Sequence, residues 1–211
     1  MIAEKFNTDK IFFPLQESIS EPLSSWCKLF LKDDSSLQPK IGHKLLSWEL
    51  RLPWNDFNSW LRKKNSYAVF FDGASKGNPG EAGAGGILLN PGGQVEHTFA
   101  WGLGRRTNNE AEWMALLQSL HILRENKIHK ALILGDSRHV IYKLNMGYNE
   151  GAVQCRRLYE KAKVLMSSGF EAYHILRHNN SAADSLANGG ASLLQGQYRQ
   201  NGSRPTHKNI P

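Results

Sequence analysis

From residue 67 to residue 194 the apolar positions fall into rhythms that switch between strand and helix. Tyr67–Asp72 alternates and is rich in aromatic and β-favouring residues, which predicts a strand. A Gly-rich turn over 73–80 leads to two further strands, Gly83–Leu89 and Gln94–Trp101. The connector Asn90-Pro91-Gly92-Gly93 is short enough for a hairpin, so these strands pair antiparallel. Thr107, Asn108 and Asn109 offer side-chain caps for a helix running to about Asn126. Ala131–Leu134 is a continuous apolar run, as in a central strand covered on both faces. Ser137–Asn145 and Ala152–Ser168 read as helices, Ala172–Leu176 as a last strand and Ser181–Leu194 as a last helix. This order predicts an α/β fold with a mixed sheet flanked by helices, and no internal repeat is present.

The flanks follow another pattern. Residues 1–66 mix short apolar bursts with breakers at Pro14, Pro22, Pro39 and Pro53, and read as a partly ordered N-terminal extension. Within it, Trp54, Phe57, Trp60 and Leu61 stand at helical spacing and read as one amphipathic turn or two packed on the main domain. The tail 195–211 is Gly, Ser, Pro, Arg and Asn with little to bury, and is expected to be disordered. The 211 residues therefore divide into an extension (1–66), one folded domain (67–194) and a basic tail (195–211). Hydrophobic residues at 40% and charged residues at 21% fit a globular chain. No apolar run reaches the roughly 18 residues of a membrane helix. Glu4 and Asp9 precede any apolar stretch, unlike a secretory signal, and Cys27 and Cys155 are too few for a disulfide framework. An intracellular setting is expected; nucleus and cytoplasm fit equally, with no targeting run to decide between them.

The net charge of +7 is spread as +2 over residues 1–66, +2 over 67–194 and +3 over the tail. In the middle segment the three aspartates, Asp72, Asp136 and Asp184, all fall at element ends. Asp72 ends the first strand, and Asp136 follows the apolar strand across Gly135, where open α/β sheets place their sites. Glu112 shares a helical face with Leu116, Ser119, Leu120 and Leu123, and a carboxylate heading such a stripe is costly to desolvate without a cation or donor. Asp184 stands in the first turn of the final helix, where the macrodipole also favours an acid. Singly, each acid reads as a cap, a turn residue or a solvated face. Together they point to hard divalent cations with oxygen ligands. With those four acids turned to metal, thirteen bases face seven acids over 67–194, a surface suited to a polyanion.

Four segments carry a resemblance. Phe71-Asp72-Gly73-Ala74-Ser75-Lys76-Gly77-Asn78-Pro79-Gly80, Thr107-Asn108-Asn109-Glu110-Ala111-Glu112, Gly135-Asp136-Ser137 and Asn180-Ser181-Ala182-Ala183-Asp184-Ser185-Leu186-Ala187 resemble, in order and spacing, the motifs of type 1 ribonuclease H. The lack of a basic insert after Asp136 is similar to the archaeal and plant type, including ribonuclease H domains of plant non-LTR retrotransposons. The resemblance implies a five-stranded mixed sheet, three antiparallel strands then two parallel, in a monomer with a reverse transcriptase context. It implies endonucleolytic hydrolysis of the RNA strand of RNA–DNA hybrids, with two Mg²⁺ ions (Mn²⁺ able to substitute) on Asp72, Glu112, Asp136 and Asp184. Two such ions about 3.5–4 Å apart can activate water and stabilise the leaving oxygen. Glu110, rotated away from Glu112 on the helix, is left as a solvated residue.

The resemblance further implies a proton-transfer or product-release role for His178, here in the short loop six residues before Asp184. Asn78, Asn108 and Asn109 match positions that read 2′-hydroxyls, for which amides both donate and accept. Arg105 and Thr107 match a pocket for a DNA-strand phosphate. Without the basic insert, Lys63 and Lys64 of the extension or Arg199, Arg204 and Lys208 of the tail are candidates to supply charge. Two other readings use the same fold: an inactive hybrid-binding or protein-interaction module, and another polynucleotidyl transferase such as a resolvase or integrase. The glycines of 73–86 do not form a dinucleotide loop, since a strand rather than a helix follows them.

Overall fold

A computed structural model describes residues 46–148 and 151–201. Their elements run β1 (Glu49–Leu50), α1 (Trp54–Lys64), β2 (Tyr67–Gly77), β3 (Gly80–Leu89), β4 (Val95–Arg106), α2 (Asn108–Glu125), β5 (Ala131–Gly135), α3 (Arg138–Met146), α4 (Val153–Leu165), β6 (Phe170–Ile175), a 3₁₀ turn (Arg177–Asn180), α5 (Ser181–Gly190) and β7 (Tyr198–Asn201). One sheet of seven strands has the order β1-β6-β5-β2-β3-β4-β7. β2, β3 and β4 are antiparallel neighbours, and β5 and β6 join β2 in parallel. These are the five strands the sequence predicts. Two short edge strands extend them: β1 lies parallel on β6, and β7 lies antiparallel on β4.

Alternation along β2 sends its side chains to two layers. Val69 and Phe71 enter a core with Trp113, Leu116, Leu117 and Leu120 of α2, Val140 and Ile141 of α3, and Tyr159 and Ala162 of α4. Phe70 points the other way, edge-on to Phe57 of α1 with ring centroids 6.2 Å apart. Phe57 is fully buried, which contributes ~2 kcal/mol by area, and Trp60 meets Tyr173 of β6 edge-on at 5.1 Å. The turn or two expected at Trp54–Leu61 is a longer helix, Trp54–Lys64, packed on the sheet.

Three expectations change. The predicted turn over 73–80 is mostly strand: β2 continues to Gly77, β3 begins at Gly80, and Asn78-Pro79 alone makes the turn. The glycines serve close packing instead. A Cβ on Gly73 would lie 2.1 Å from the Glu112 backbone nitrogen, and one on Gly83 2.0 Å from that of Ala191. Second, the final helix ends at Gly190, not Leu194, because Ala191-Ser192-Leu193 turns toward the sheet edge with Leu193 buried. Third, residues 198–201 are an edge strand where disorder is expected: Tyr198 stacks on Phe99 at 6.1 Å and its hydroxyl accepts from the Gln118 side chain at 2.8 Å. One aromatic anchor supplies the burial that composition alone conceals. The other residues of the expected tail, with Arg204 and Lys208, and the extension up to residue 45, with Cys27, lie outside the described residues.

Candidate active site

β5 stops at Gly135 while its neighbour β2 runs on to Gly77, so the parallel pairing ends at Phe70↔Leu134 and leaves a notch at the carboxyl end of β5. Asp72 and Asp136 emerge at this notch. α2 enters from one side, and Gly73 allows its backbone to approach β2 closely enough to bring Glu112 in. The helix starts cleanly because Thr107 and Glu110 form a reciprocal capping box, in which the Thr107 hydroxyl donates to Glu110 Oε2 at 2.7 Å. Glu110 is thus a structural cap, and Glu112 is the acid that faces inward, 6% exposed.

Carboxylate oxygens of Asp72, Glu112 and Asp136 all lie within 4.8 Å of one another. Glu112 Oε2 is buried and has no hydrogen-bond partner. Three converging carboxylates with an orphaned oxygen match the donor set of a hard divalent cation, which removes the cost of burying them together. Their ionisation shows that cost. Burial first, then the negative charges of Asp136 and Asp184, push the Asp72 carboxyl up to about 8, against the opposing Gly73 amide and Arg177. Burial, then Asp72 and Asp136, hold Glu112 well above the ordinary carboxylate range.

Asp184 is electrostatically part of this group but stands outside the tight triad. Its Oδ1 accepts from Arg177 at 2.9 Å and its Oδ2 from Asn188 Nδ2 at 3.0 Å. α5 carries it, and that helix is seated by Gly83 and Gly85 of β3. His178 is exposed on the 3₁₀ turn. Asn78, Arg105, Asn108 and Asn109 are exposed and Thr107 is half-buried, at the β2–β3 turn and the start of α2. Asn78 Oδ1 accepts from the Asn108 backbone at 3.1 Å and ties these two segments into one edge.

Asn180 is a site residue that sequence reasoning missed. It reads as the N-cap of α5, yet its side chain makes no capping bond. Its Nδ2, 1% exposed as a residue, donates instead to Asp136 Oδ1 at 2.7 Å and to the Phe71 carbonyl at 3.0 Å. It fixes the one carboxylate of the triad that hangs from a strand end. Arg177 is the second omission: a basic residue before a helix reads as solvated, and its ion pair with Asp184 depends on the turn between them.

A mixed sheet with acids gathered at the carboxyl end of its central strands is the architecture of the ribonuclease H-like fold class. The family described as reverse transcriptase-like matches residues 70–190, more than half the chain, and the chain belongs to it. Among curated relatives, ribonuclease HI of Halobacterium salinarum is 34% identical over 123 residues, 57% of this chain and 61% of that protein. The aligned region is thus less than two thirds of that relative. Ribonuclease H of Pseudomonas fluorescens is 30% identical over 152 residues, 64% of this chain and 96% of that protein. The crystal structure of the Halobacterium enzyme matches with a TM-score of 0.54 at 33% identity, covering 59% of this chain and 96% of that one. A ribonuclease H1 isolated from compost, solved in complex with an RNA/DNA hybrid, matches with a TM-score of 0.56 at 26% identity, covering 60% of this chain and 96% of that one. These likenesses place the chain with type 1 ribonucleases H, and the archaeal side of the expected resemblance is among them.

Proposed function

We propose that this protein is a ribonuclease H: a divalent-metal-dependent endonuclease that hydrolyses the RNA strand of RNA–DNA hybrids, acting as a monomer. The observation that carries the reading is the triad Asp72, Glu112 and Asp136, whose oxygens lie within 4.8 Å of one another with Glu112 Oε2 unpartnered. The fold around it is that of a relative solved with an RNA/DNA hybrid. The match to a family described as reverse transcriptase-like supports a retroelement origin. Among the described residues no helix is long and apolar enough to cross a membrane.

Asp72, Glu112, Asp136 and Asp184 would hold the metal, and oxygen-only ligands favour Mg²⁺ with Mn²⁺ as a substitute. When bound, the ions supply charge neutralisation at the scissile phosphate and a lowered pKa for water. The chain does the rest. Asn180 orients Asp136, so the carboxylate does not spend rotamer freedom when substrate arrives. Arg177 holds Asp184 beside the triad and accompanies it toward the phosphate. His178, exposed on the same turn, would serve proton transfer or product release there. Hydrolysis adds water across the P–O3′ bond and leaves a 5′-phosphate and a 3′-hydroxyl. Asn78, Asn108 and Asn109 form the edge that meets 2′-hydroxyls, and Arg105 with Thr107 the edge that meets a DNA phosphate. Because the Thr107 hydroxyl already donates to Glu110, and the amides of Thr107, Asn108 and Glu110 already donate to side chains, the phosphate contact falls to Arg105. The domain that carries the site includes residues 46–66 and 195–201 beside the expected 67–194.

The test is incubation with labelled hybrid, RNA duplex and DNA duplex, with Mg²⁺ or Mn²⁺ and with chelator. Metal-dependent loss of RNA from the hybrid alone is expected. Binding without product would instead indicate an inactive hybrid-binding module, and cleavage of the DNA duplex a different polynucleotidyl transferase.

A further inference from the structure

Residues 46–64 precede the family-matched region, yet they are built into the supports of the carboxylate notch. β1 pairs through two residues, Glu49↔His174 and Leu50↔Ile175. The His174 amide donates to the Trp48 carbonyl at 2.9 Å, and His174 Nε2 lies 3.2 Å from the Asp136 carbonyl. Leu52, just beyond β1, accepts at 2.9 Å from the side chain of Asn179, which neighbours Asn180. Most telling is Glu49. Its side chain is 2% exposed, and its Oε1 meets Arg138 Nε at 2.7 Å. Arg138 opens α3 two residues after Asp136, and 52% of its side chain is exposed.

A two-residue edge strand has no need of a desolvated carboxylate for its stability. Desolvating one partner of an ion pair at such a place seldom gains energy over an apolar contact. It does fix geometry. The contact is an ion pair at Nε, the stem side of the guanidinium, without a hydrogen bond to Oε1, so the buried carboxylate holds the guanidinium in place while half of the Arg138 side chain stays exposed. A planar fork is the side chain best suited to a phosphate, and one already immobilised loses less entropy on binding. We infer that Glu49 is a positioning residue, which aims Arg138 at a backbone phosphate of the hybrid beside the carboxylate cluster. The inference rests on the proposed nucleic-acid substrate, and it concerns a segment outside the matched family region.

The experiment is hybrid binding by the full chain in calcium, with salt dependence, for wild type, Glu49→Gln, Arg138→Ala and the double variant. Turnover in magnesium and thermal midpoints are read alongside. Arg138→Ala is expected to weaken binding about fivefold and to lower the salt slope by about one. Glu49→Gln, isosteric and able to keep the fold, is expected to weaken binding about threefold with kcat within about twofold of wild type. The double variant should bind no more weakly than Arg138→Ala, because Glu49 acts through Arg138. Wild-type affinity and salt slope in Glu49→Gln, or losses that add in the double variant, would overturn the inference and make Glu49 a stability residue only. A wild-type protein that binds hybrid in calcium but cleaves nothing in magnesium would defeat the nuclease proposal, while the four affinities still decide the role of Glu49.

Discussion

Asp72 is protonated more readily in the folded chain than in the unfolded one, and this sets a pH dependence. With its carboxyl raised to about 8, the native state binds the extra proton from about pH 4 to about pH 8. Metal-free stability therefore falls as pH rises through that window. Thermal midpoints in chelator should drop between pH 5 and pH 8 for wild type. Asp72→Asn should melt higher than wild type at pH 8, by about 5 °C for ~2 kcal/mol, and the two should converge near pH 4. Equal midpoints at pH 8 would show that the triad is not strained by its own charge. Asp184 stands outside the triad and is held by Arg177 and Asn188, so Asp184→Asn is expected to retain more turnover than Asp136→Asn in the hybrid assay. That Asp72, Glu112 and Asp136 converge was legible in the sequence, because a carboxylate beside a buried strand or heading an apolar helix face is costly without a partner. Asn180 was not, because an asparagine before a helix has an ordinary use as a cap, and only the turn geometry diverts its amide to Asp136. The Glu49–Arg138 pair joins positions far apart in the chain, and no local pattern announces it.

Elements meet at this site through missing side chains. Gly73→Ala would drive a methyl carbon into the first turn of α2, 2.1 Å from a backbone nitrogen, and a helix backbone cannot yield as a flexible side chain does. A loss of ~3 kcal/mol or more is expected, read as a lower urea midpoint, with weaker metal binding as Glu112 is pushed away. Thr107→Ala should cost ~1 kcal/mol through the lost capping box and leave the triad in place. The long elements were readable: α2 was predicted to about Asn126 and ends at Glu125, and β5 was predicted over Ala131–Leu134 and ends at Gly135. The glycine run reads as a turn in the sequence because glycine signals both a bend and a close approach, and composition cannot separate the two. α2 also proved buried around most of its circumference, between the sheet and α4, so its amphipathic face was less selective than the pattern implied.

At the scale of the molecule, the sheet carries more at its edges than its five central strands. β1 and β7 are two and four residues long, too short for any periodic signal, and each is fixed by contacts made elsewhere. β7 covers the β4 edge through Tyr198, and covered edges resist pairing with other chains. Tyr198→Ala should lower stability by ~2 kcal/mol and release the strand, seen as faster amide exchange along β4. The expected tail thus has a structural part, and a deletion that probes its charge should begin beyond Asn201 and leave β7 intact. α2 seated through Gly73, α5 through Gly83 and β1 paired on β6 converge on one notch at the carboxyl end of β5. The most direct measurement is the rate of RNA release from a hybrid by wild type and by Asp72→Asn at saturating Mg²⁺, with circular dichroism confirming that both are folded. A fall of roughly a thousandfold or more in the variant is the predicted result; near-normal turnover by folded Asp72→Asn would contradict it.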